Sequence, residues 1–201
     1  MKIAIISDVH NNLANLKKVL DYCAKNEIKK IICCGDLANM ETLDFLNDNF
    51  SGVIYYTFGN MDDGQMTDVI WHPERIRQSA EKSKDLTTCR YKNTFIFKKF
   101  GEVEIEKNPA KPDGRGTRRI AFVHYPDKAR ELCESGKYDF VFHGHTHKPW
   151  SSEASAKETA GSNKCIILNP GNIANEIYPP TFAVWEIDND KFDLIRINNL
   201  K

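Results

Sequence analysis

Three short apolar runs near the start of the chain each stop at a polar or acidic residue, and that repetition limits the fold more than any other feature. Residues 2–6 (Lys-Ile-Ala-Ile-Ile) halt at Ser7-Asp8-Val9-His10-Asn11-Asn12, residues 30–34 at Gly35-Asp36-Leu37, and residues 53–58 at Gly59-Asn60-Met61-Asp62. Unbroken runs rich in β-branched side chains mark strands buried on both faces, the pattern of a largely parallel sheet covered by helices. Helix signals fall between the runs. Leu13, Leu16, Leu20 and Cys23 share one face, with Asn11 or Asn12 as the N-cap, and a shorter helix is predicted over 41–50. In open α/β sheets, ligands bind outside the carboxyl ends of the strands. Asp8, His10, Asp36 and Asn60 are therefore predicted to converge on one edge.

The second half reads as richer in strands. Residues 94–97 and 102–106 look like a strand pair joined near Gly101, 119–123 like a buried strand ending at His124-Tyr125-Pro126, and 127–136 like a helix. Pro73 opens a predicted helix over 73–83, and 108–116 (Asn-Pro-Ala-Lys-Pro-Asp-Gly-Arg-Gly) is a turn-rich loop. The apolar run 138–142 leads into His143-Gly144-His145-Thr146-His147, so three of the six histidines fall within five residues. Alternating histidines at a strand end bring imidazoles to a sheet edge, and Gly144 spares that turn a Cβ clash. Imidazole is a common ligand of transition metals. Residues 151–164 read as an exposed loop or a ragged hairpin. A strand over 165–168 precedes Asn169-Pro170-Gly171-Asn172, and 182–187 with 192–197 form a predicted closing hairpin across Asp188-Asn189-Asp190.

Length and composition narrow the rest. At 201 residues the chain reads as a single domain, and its 28 basic and 28 acidic residues give no net charge. That balance argues against a protein built to coat nucleic acid. None of the six cysteines has C-x-x-C spacing, and all six are read as reduced and mostly buried, which favours the cytoplasm. Cys33 and Cys34 are neighbours on a strand and should face opposite ways. The apolar stretch 1–9 is too short for a signal peptide and is broken by Asp8. No run approaches the length of a membrane span.

Taken in chain order, Asp8-x-His10, Gly35-Asp36, Gly59-Asn60, His124 and Gly144-His145-Thr146-His147 resemble the calcineurin-like metallophosphoesterases, most closely their small bacterial and archaeal phosphodiesterase branch. The resemblance runs from Met1 to the Asn169-Pro170-Gly171 turn and the final hairpin. It implies an α/β fold, a four-layer α-β-β-α sandwich of two mixed sheets flanked by helices. It also implies two divalent metal ions. Asp8, His10, Asp36 and His147 would hold one; Asp36, Asn60, His124 and His145 would hold the other, with Asp36 shared. Carboxylates offset the charge of ions held about 3.5–4 Å apart. Imidazoles favour transition metals over magnesium, so manganese is favoured, with iron, nickel or zinc as alternatives. The implied reaction is in-line attack of a metal-activated hydroxide on the phosphorus of a small phosphate diester, a nucleotide being one candidate. His10, Asp36 and Asn60 make up the predicted catalytic group.

The sequence departs from that pattern in places. Met61 stands where many members have a histidine that aids the transition state or protonates the leaving group, and a thioether donates no proton. Diesters, or substrates with good leaving groups, are therefore favoured over monoesters. Tyr125-Pro126 replaces a glycine and a second histidine, and Asn11 replaces a glycine; both changes touch substrate access more than the metals. Asp62 reads as a turn or cap carboxylate, or as an acceptor orienting a ligating histidine. His143 reads as a residue behind the ligands or at the surface, and His72 as structural or exposed. Lys107, Lys111, Arg115, Arg118 and Arg119 read as a solvated loop, or else as a clamp for a nucleotide or polyphosphate. Two other functions stay open: a non-catalytic scaffold that keeps the fold, and a phosphomonoesterase or protein phosphatase. Scaffolds usually lose ligands, and none is lost here. The expected partner is a small phosphate-ester substrate, with no membrane and no nucleic acid, and the resemblance leaves a homo-oligomer open.

Overall fold

In a computed structural model, which describes residues 1–72, 87–107, 116–155 and 164–200, the three opening runs form the centre of one sheet. β1 (Lys2–Ile6), β2 (Lys30–Cys33) and β3 (Val53–Thr57) lie side by side and parallel. Between them run α1 (Leu13–Lys25) and α2 (Met40–Asp48), and α3 (Gly64–Ile70) follows β3. Asn12 is the N-cap of α1: its side chain accepts from the Asn15 amide. Asn39 does the same for α2 through Thr42. Both caps satisfy an amide that the first helical turn would leave unpaired.

The sheet grows outward on both sides. On one side β4 (Thr88–Tyr91) and β5 (Thr94–Phe97) form a hairpin, with β5 parallel to β3. Downstream come β6 (Gly101–Glu106), β7 (Thr117–Phe122), α4 (Pro126–Glu134), β8 (Phe140–Phe142), β9 (Trp150–Ser155) and β10 (Lys164–Asn169). The chain closes with β11 (Thr181–Glu186) and β12 (Lys191–Arg196). Among the described residues this gives a seven-stranded sheet ordered β12-β11-β1-β2-β3-β5-β4 and a five-stranded sheet ordered β6-β7-β8-β10-β9. Both are mixed, with β11 antiparallel to β1 and β9 antiparallel to β10.

The period of two along each strand decides what each face packs against. Ile3, Ile5, Ile32, Cys34 and Trp185 of the larger sheet meet Phe122, Phe140, Phe142 and Leu168 of the smaller one, and this cluster fills the space between the sheets. Ala4, Ile6, Ile31 and Cys33 turn the other way, onto Leu16, Leu20, Leu43 and Leu46 of the helices. Cys33 and Cys34 thus face opposite cores, as neighbours on a strand should. Ala121, Val141 and Ile167 on the outer face of the smaller sheet pack on Ala129 and Leu132 of α4. The result is the four-layer α-β-β-α sandwich. No helix among the described residues is long and apolar enough to cross a membrane.

Several expectations need correction. Residues 94–97 and 102–106 are strands, but they lie in different sheets: β5 pairs with β3 and β4, and β6 with β7. Gly101 is where the chain crosses between layers. A Cβ there would fall 1.9 Å from the Phe122 ring, so the crossing needs a residue without one. The cysteines are not all reduced, because Cys133 on α4 and Cys165 on β10 form a disulfide with Cα atoms 5.6 Å apart. Short-spacing motifs could not reveal a pair 32 residues apart that only helix-on-sheet packing brings together. Cys23, Cys33, Cys34 and Cys89 are free and buried. The basic cluster is not a solvated loop at Lys107 and Arg118. Both are buried against Asp190, with Lys107 Nζ at 3.0 Å and Arg118 Nη2 at 2.5 Å from its Oδ2. Lys111, Arg115 and the predicted helix over 73–83 lie outside the described residues, as does most of the 108–116 loop.

Candidate metal centre

The residues that follow β1, β2, β3, β7 and β8 meet at one edge of the sandwich. The loop after β1 is strapped to the loop after β2, with Asp8 N–H donating to Gly35 O (3.1 Å) and Val9 and His10 N–H both donating to Asp36 O (2.9 and 3.1 Å). The histidine segment joins from the other sheet. His145 N–H donates to both carboxylate oxygens of Asp8 (3.2 and 3.1 Å). Gly144 is what permits that approach. Its φ is ordinary, but a Cβ would sit 1.8 Å from Ser7 Oγ and 2.6 Å from Asp8 Oδ2. The backbone turns instead at the candidate ligands. Asp8, His10, Asp36, His145 and His147 have φ of 52°, 44°, 58°, 70° and 59°. Left-handed backbone disfavours residues with a Cβ, and its concentration here marks a site whose geometry the surrounding fold imposes.

All seven predicted residues are brought together. Asp36 Oδ2 lies 3.4 Å from His10 Nε2 and 3.2 Å from His124 Nε2. Asp8 Oδ1 lies 3.4 Å from His147 Nε2 and 3.9 Å from His10 Nε2. Asn60 Oδ1 lies 3.0 Å from His124 Nε2 and 2.9 Å from His145 Nδ1. Asp8, His10 and His147 form one group that could hold a cation, and Asp8, Asp36 and His124 another. Asp8 reaches toward both groups, a place the resemblance gives to Asp36 alone. Atoms bound about 2.1 Å from one ion at tetrahedral or octahedral angles are about 3.0–3.4 Å apart, and the spacings above fall at or near that range.

The outer nitrogens of three histidines are already committed. His124 Nδ1–H donates to the Cys34 carbonyl (2.9 Å) and His147 Nδ1–H to the Glu176 carbonyl (3.4 Å), while His10 Nδ1 lies 3.1 Å from Glu176 Oε2 as an ion-pair contact. In a neutral ring the remaining nitrogen, Nε2, is then an acceptor. In each case it faces a carboxylate, which also only accepts. His10 Nε2 is buried and makes no hydrogen bond of proper geometry. Three acceptor pairs held nose to nose call for a positive charge between them, a proton or a metal ion.

The titration shifts carry the same message. Burial alone would raise the Asp36 carboxyl, but contact with His10 and His124 holds it well below the usual carboxylate range. His10 is raised by its contact with Asp36 despite burial, and His147 by its contact with Asp8. Burial would lower His124, yet Asp36 beside it prevails and raises it. The field that favours imidazolium here would favour a bound cation in the same way.

Residues outside the seven support the site, beginning with Asp62, which is the turn carboxylate the sequence offered. Asp62 does not orient a histidine: its carboxylate accepts from Asp36 N–H (3.1 Å), Ala38 N–H (2.9 Å) and Gly59 N–H (2.6 Å), clamping the loops after β2 and β3 together. Asn172 Oδ1 accepts from Asn175 and Glu176 N–H (2.7 and 3.2 Å), and its Nδ2 donates to His147 O (3.2 Å), which fixes the loop carrying Glu176. Asn169 Nδ2 donates to Gly144 O and Thr146 Oγ1 (3.0 and 2.9 Å), bracing the histidine turn from below. Glu176 sits in a loop, five residues past Gly171, with no strand end to announce it. Its acidity directly after Asn175 was the signal available. His143 is buried behind the ligands, with burial lowering its pKa, and His72 is exposed. Met61 is 54% exposed beside Asn60, and its N–H donates to Asp36 Oδ1 (2.8 Å).

Known proteins share this fold. The chain is 23% identical over 193 residues to phosphodiesterase MJ0936 of Methanocaldococcus jannaschii, covering 96% of each. The solved structure of an archaeal phosphodiesterase superposes with a TM-score of 0.69 at 22% identity, covering 98% of this chain and 99% of that one. The E. coli phosphoesterase Yfce superposes with a TM-score of 0.62 at 18% identity, covering 100% of this chain and 96% of that one. The profile of the calcineurin-like phosphoesterase superfamily domain matches residues 1–190. With the sandwich fold and that match over nearly its whole length, the chain belongs to the calcineurin-like phosphoesterase superfamily.

Proposed function

We propose that this protein is a metal-dependent phosphodiesterase that hydrolyses a small phosphate diester and uses two divalent transition-metal ions, manganese before iron, nickel or zinc. The observation that carries the reading is the set of three imidazoles, His10, His124 and His147, each with Nδ1 on an acceptor and Nε2 turned toward a carboxylate. Asp8, His10, Asp36 and His147 would hold one ion, and Asp36, Asn60, His124 and His145 the other. When bound, such a pair supplies Lewis-acid stabilisation of charge on the phosphoryl oxygens and makes water a nucleophile at neutral pH. The protein keeps Asp8, Asp36 and His124 buried, where their charges and lone pairs act in a low dielectric. His145 and Asn60 are exposed and form the side from which a phosphate ester can enter. Met61 supplies no proton to a leaving group, which supports diesters over monoesters with poor leaving groups.

The reading is tested by adding manganese to the purified chain and following bis(p-nitrophenyl) phosphate and p-nitrophenyl phosphate side by side. The expected result is metal-dependent turnover favouring the diester, lost in Asp36→Asn. No turnover of either ester, or a preference for the monoester, contradicts it.

A further inference from the structure

Next to the candidate metal centre lies a cleft of about 640 Å³ that none of the proposed ligands occupies. Its walls are Phe58, Phe100 and Tyr125, and three lysines line it: Lys98, Lys99 and Lys128. Gly59 and Val123 also line it, directly before Asn60 and His124, so the cleft and the ligand set share backbone. Tyr125 stands between them, its ring centroid 5.0 Å from that of His145. The volume is that of a small-molecule site.

The charge of the cleft is opposite to that of its neighbour. The metal centre presents Asp8, Asp36 and Glu176, whereas no carboxylate among the described residues lines the cleft. Lys128 reaches out to Glu131 (2.6 Å), and the Lys98 ammonium sits 5.7 Å over the Trp71 ring. Lys99 is exposed and pairs with no acid among the described residues. These cations come from two separate segments, the β5–β6 crossing and α4, in a chain with no net charge. A lining that combines aromatic rings with lysines suits a planar ring that carries an anion.

We propose that this cleft is the subsite for one arm of the diester, an arm bearing a flat heterocycle and a second anionic group, the chemistry of a nucleotide phosphorylated at a further hydroxyl. The inference rests on the diesterase reading, and the test separates the two. Titration calorimetry of the manganese-loaded chain with thymidine 3′,5′-bisphosphate is expected to show binding that weakens about tenfold or more in K98E/K99E. Tyr125→Ala, which removes a wall rather than a charge, is expected to weaken the same ligand, with metal content equal to the parent in both variants. Kinetics gives a parallel readout. The kcat/KM for thymidine 3′-phosphate 5′-(p-nitrophenyl phosphate), relative to bis(p-nitrophenyl) phosphate, should fall by a similar factor in K98E/K99E. Bisphosphate affinity equal in parent and variants overturns the subsite, whatever the hydrolysis shows. A parent that binds the bisphosphate through these residues yet hydrolyses neither diester overturns the diesterase reading and leaves the subsite standing.

Discussion

Single residues at the site separate into those that would touch a cation and those that aim them. Glu176 belongs to the second kind. Its carboxylate holds His10 Nδ1 while its carbonyl holds His147 Nδ1, so one exposed residue sets the orientation of two rings. Removing a group that orients a ligating histidine typically costs ten- to a hundredfold in metal affinity. Because Glu176 is half-exposed, Glu176→Ala is expected to weaken manganese binding by about tenfold, measured by calorimetry. Met61 tests the leaving-group argument. A histidine at that exposed position beside Asn60 could donate a proton, and general acids contribute about 10²–10⁴-fold. Met61→His should raise turnover of the monoester relative to the diester, and an unchanged ratio would remove the account of that position. At this scale the sequence was highly legible for the seven strand-end residues, because residue type and position after an apolar run together carry the signal. Glu176 and Asn172 were not legible, because a loop residue's partners depend on where the loop folds back.

The loops and strands set those residues in place, and here legibility was uneven. β1, β2, β3, α1, α2 and the closing hairpin follow from unbroken apolar runs, helical periodicity and Asn caps. The pairing of β5 with β3 was not visible, since the strand pattern of 94–97 and 102–106 is the same whether they join one sheet or two. β4 and α3 are short and carry weak patterns of their own. The disulfide between α4 and β10 depends on tertiary packing alone. Asp62 is the element-scale clamp. Its three backbone contacts tie Asp36, Ala38 and Gly59 into one rigid pair of loops, with burial raising the carboxyl above its ordinary range. Asp62→Ala leaves three amides without their acceptor, each worth about 1–3 kcal/mol where water cannot replace it. A loss of about 3 kcal/mol in denaturant unfolding is expected, with weaker metal uptake by the folded variant. Stability within about 0.5 kcal/mol of the parent would show that the loops hold their shape without it.

For the whole molecule, two sheets pressed together by Trp185, Phe140 and Phe142 carry the strand ends of both to one edge. Neither sheet alone assembles the centre: Asp8, His10, Asp36 and Asn60 come from the larger, while His124, His145 and His147 come from the smaller. The layered architecture was readable because buried runs, helix spacing and the order of the motifs agree with one another. The central claim is that this shared edge holds two divalent ions. Elemental analysis of the purified chain, saturated with manganese and freed of excess, measures it directly. The account predicts close to two ions per chain in the parent and a clear loss in Asp36→Asn, whereas a parent that retains no divalent ion, or an Asp36→Asn variant that retains as many as the parent, would contradict it.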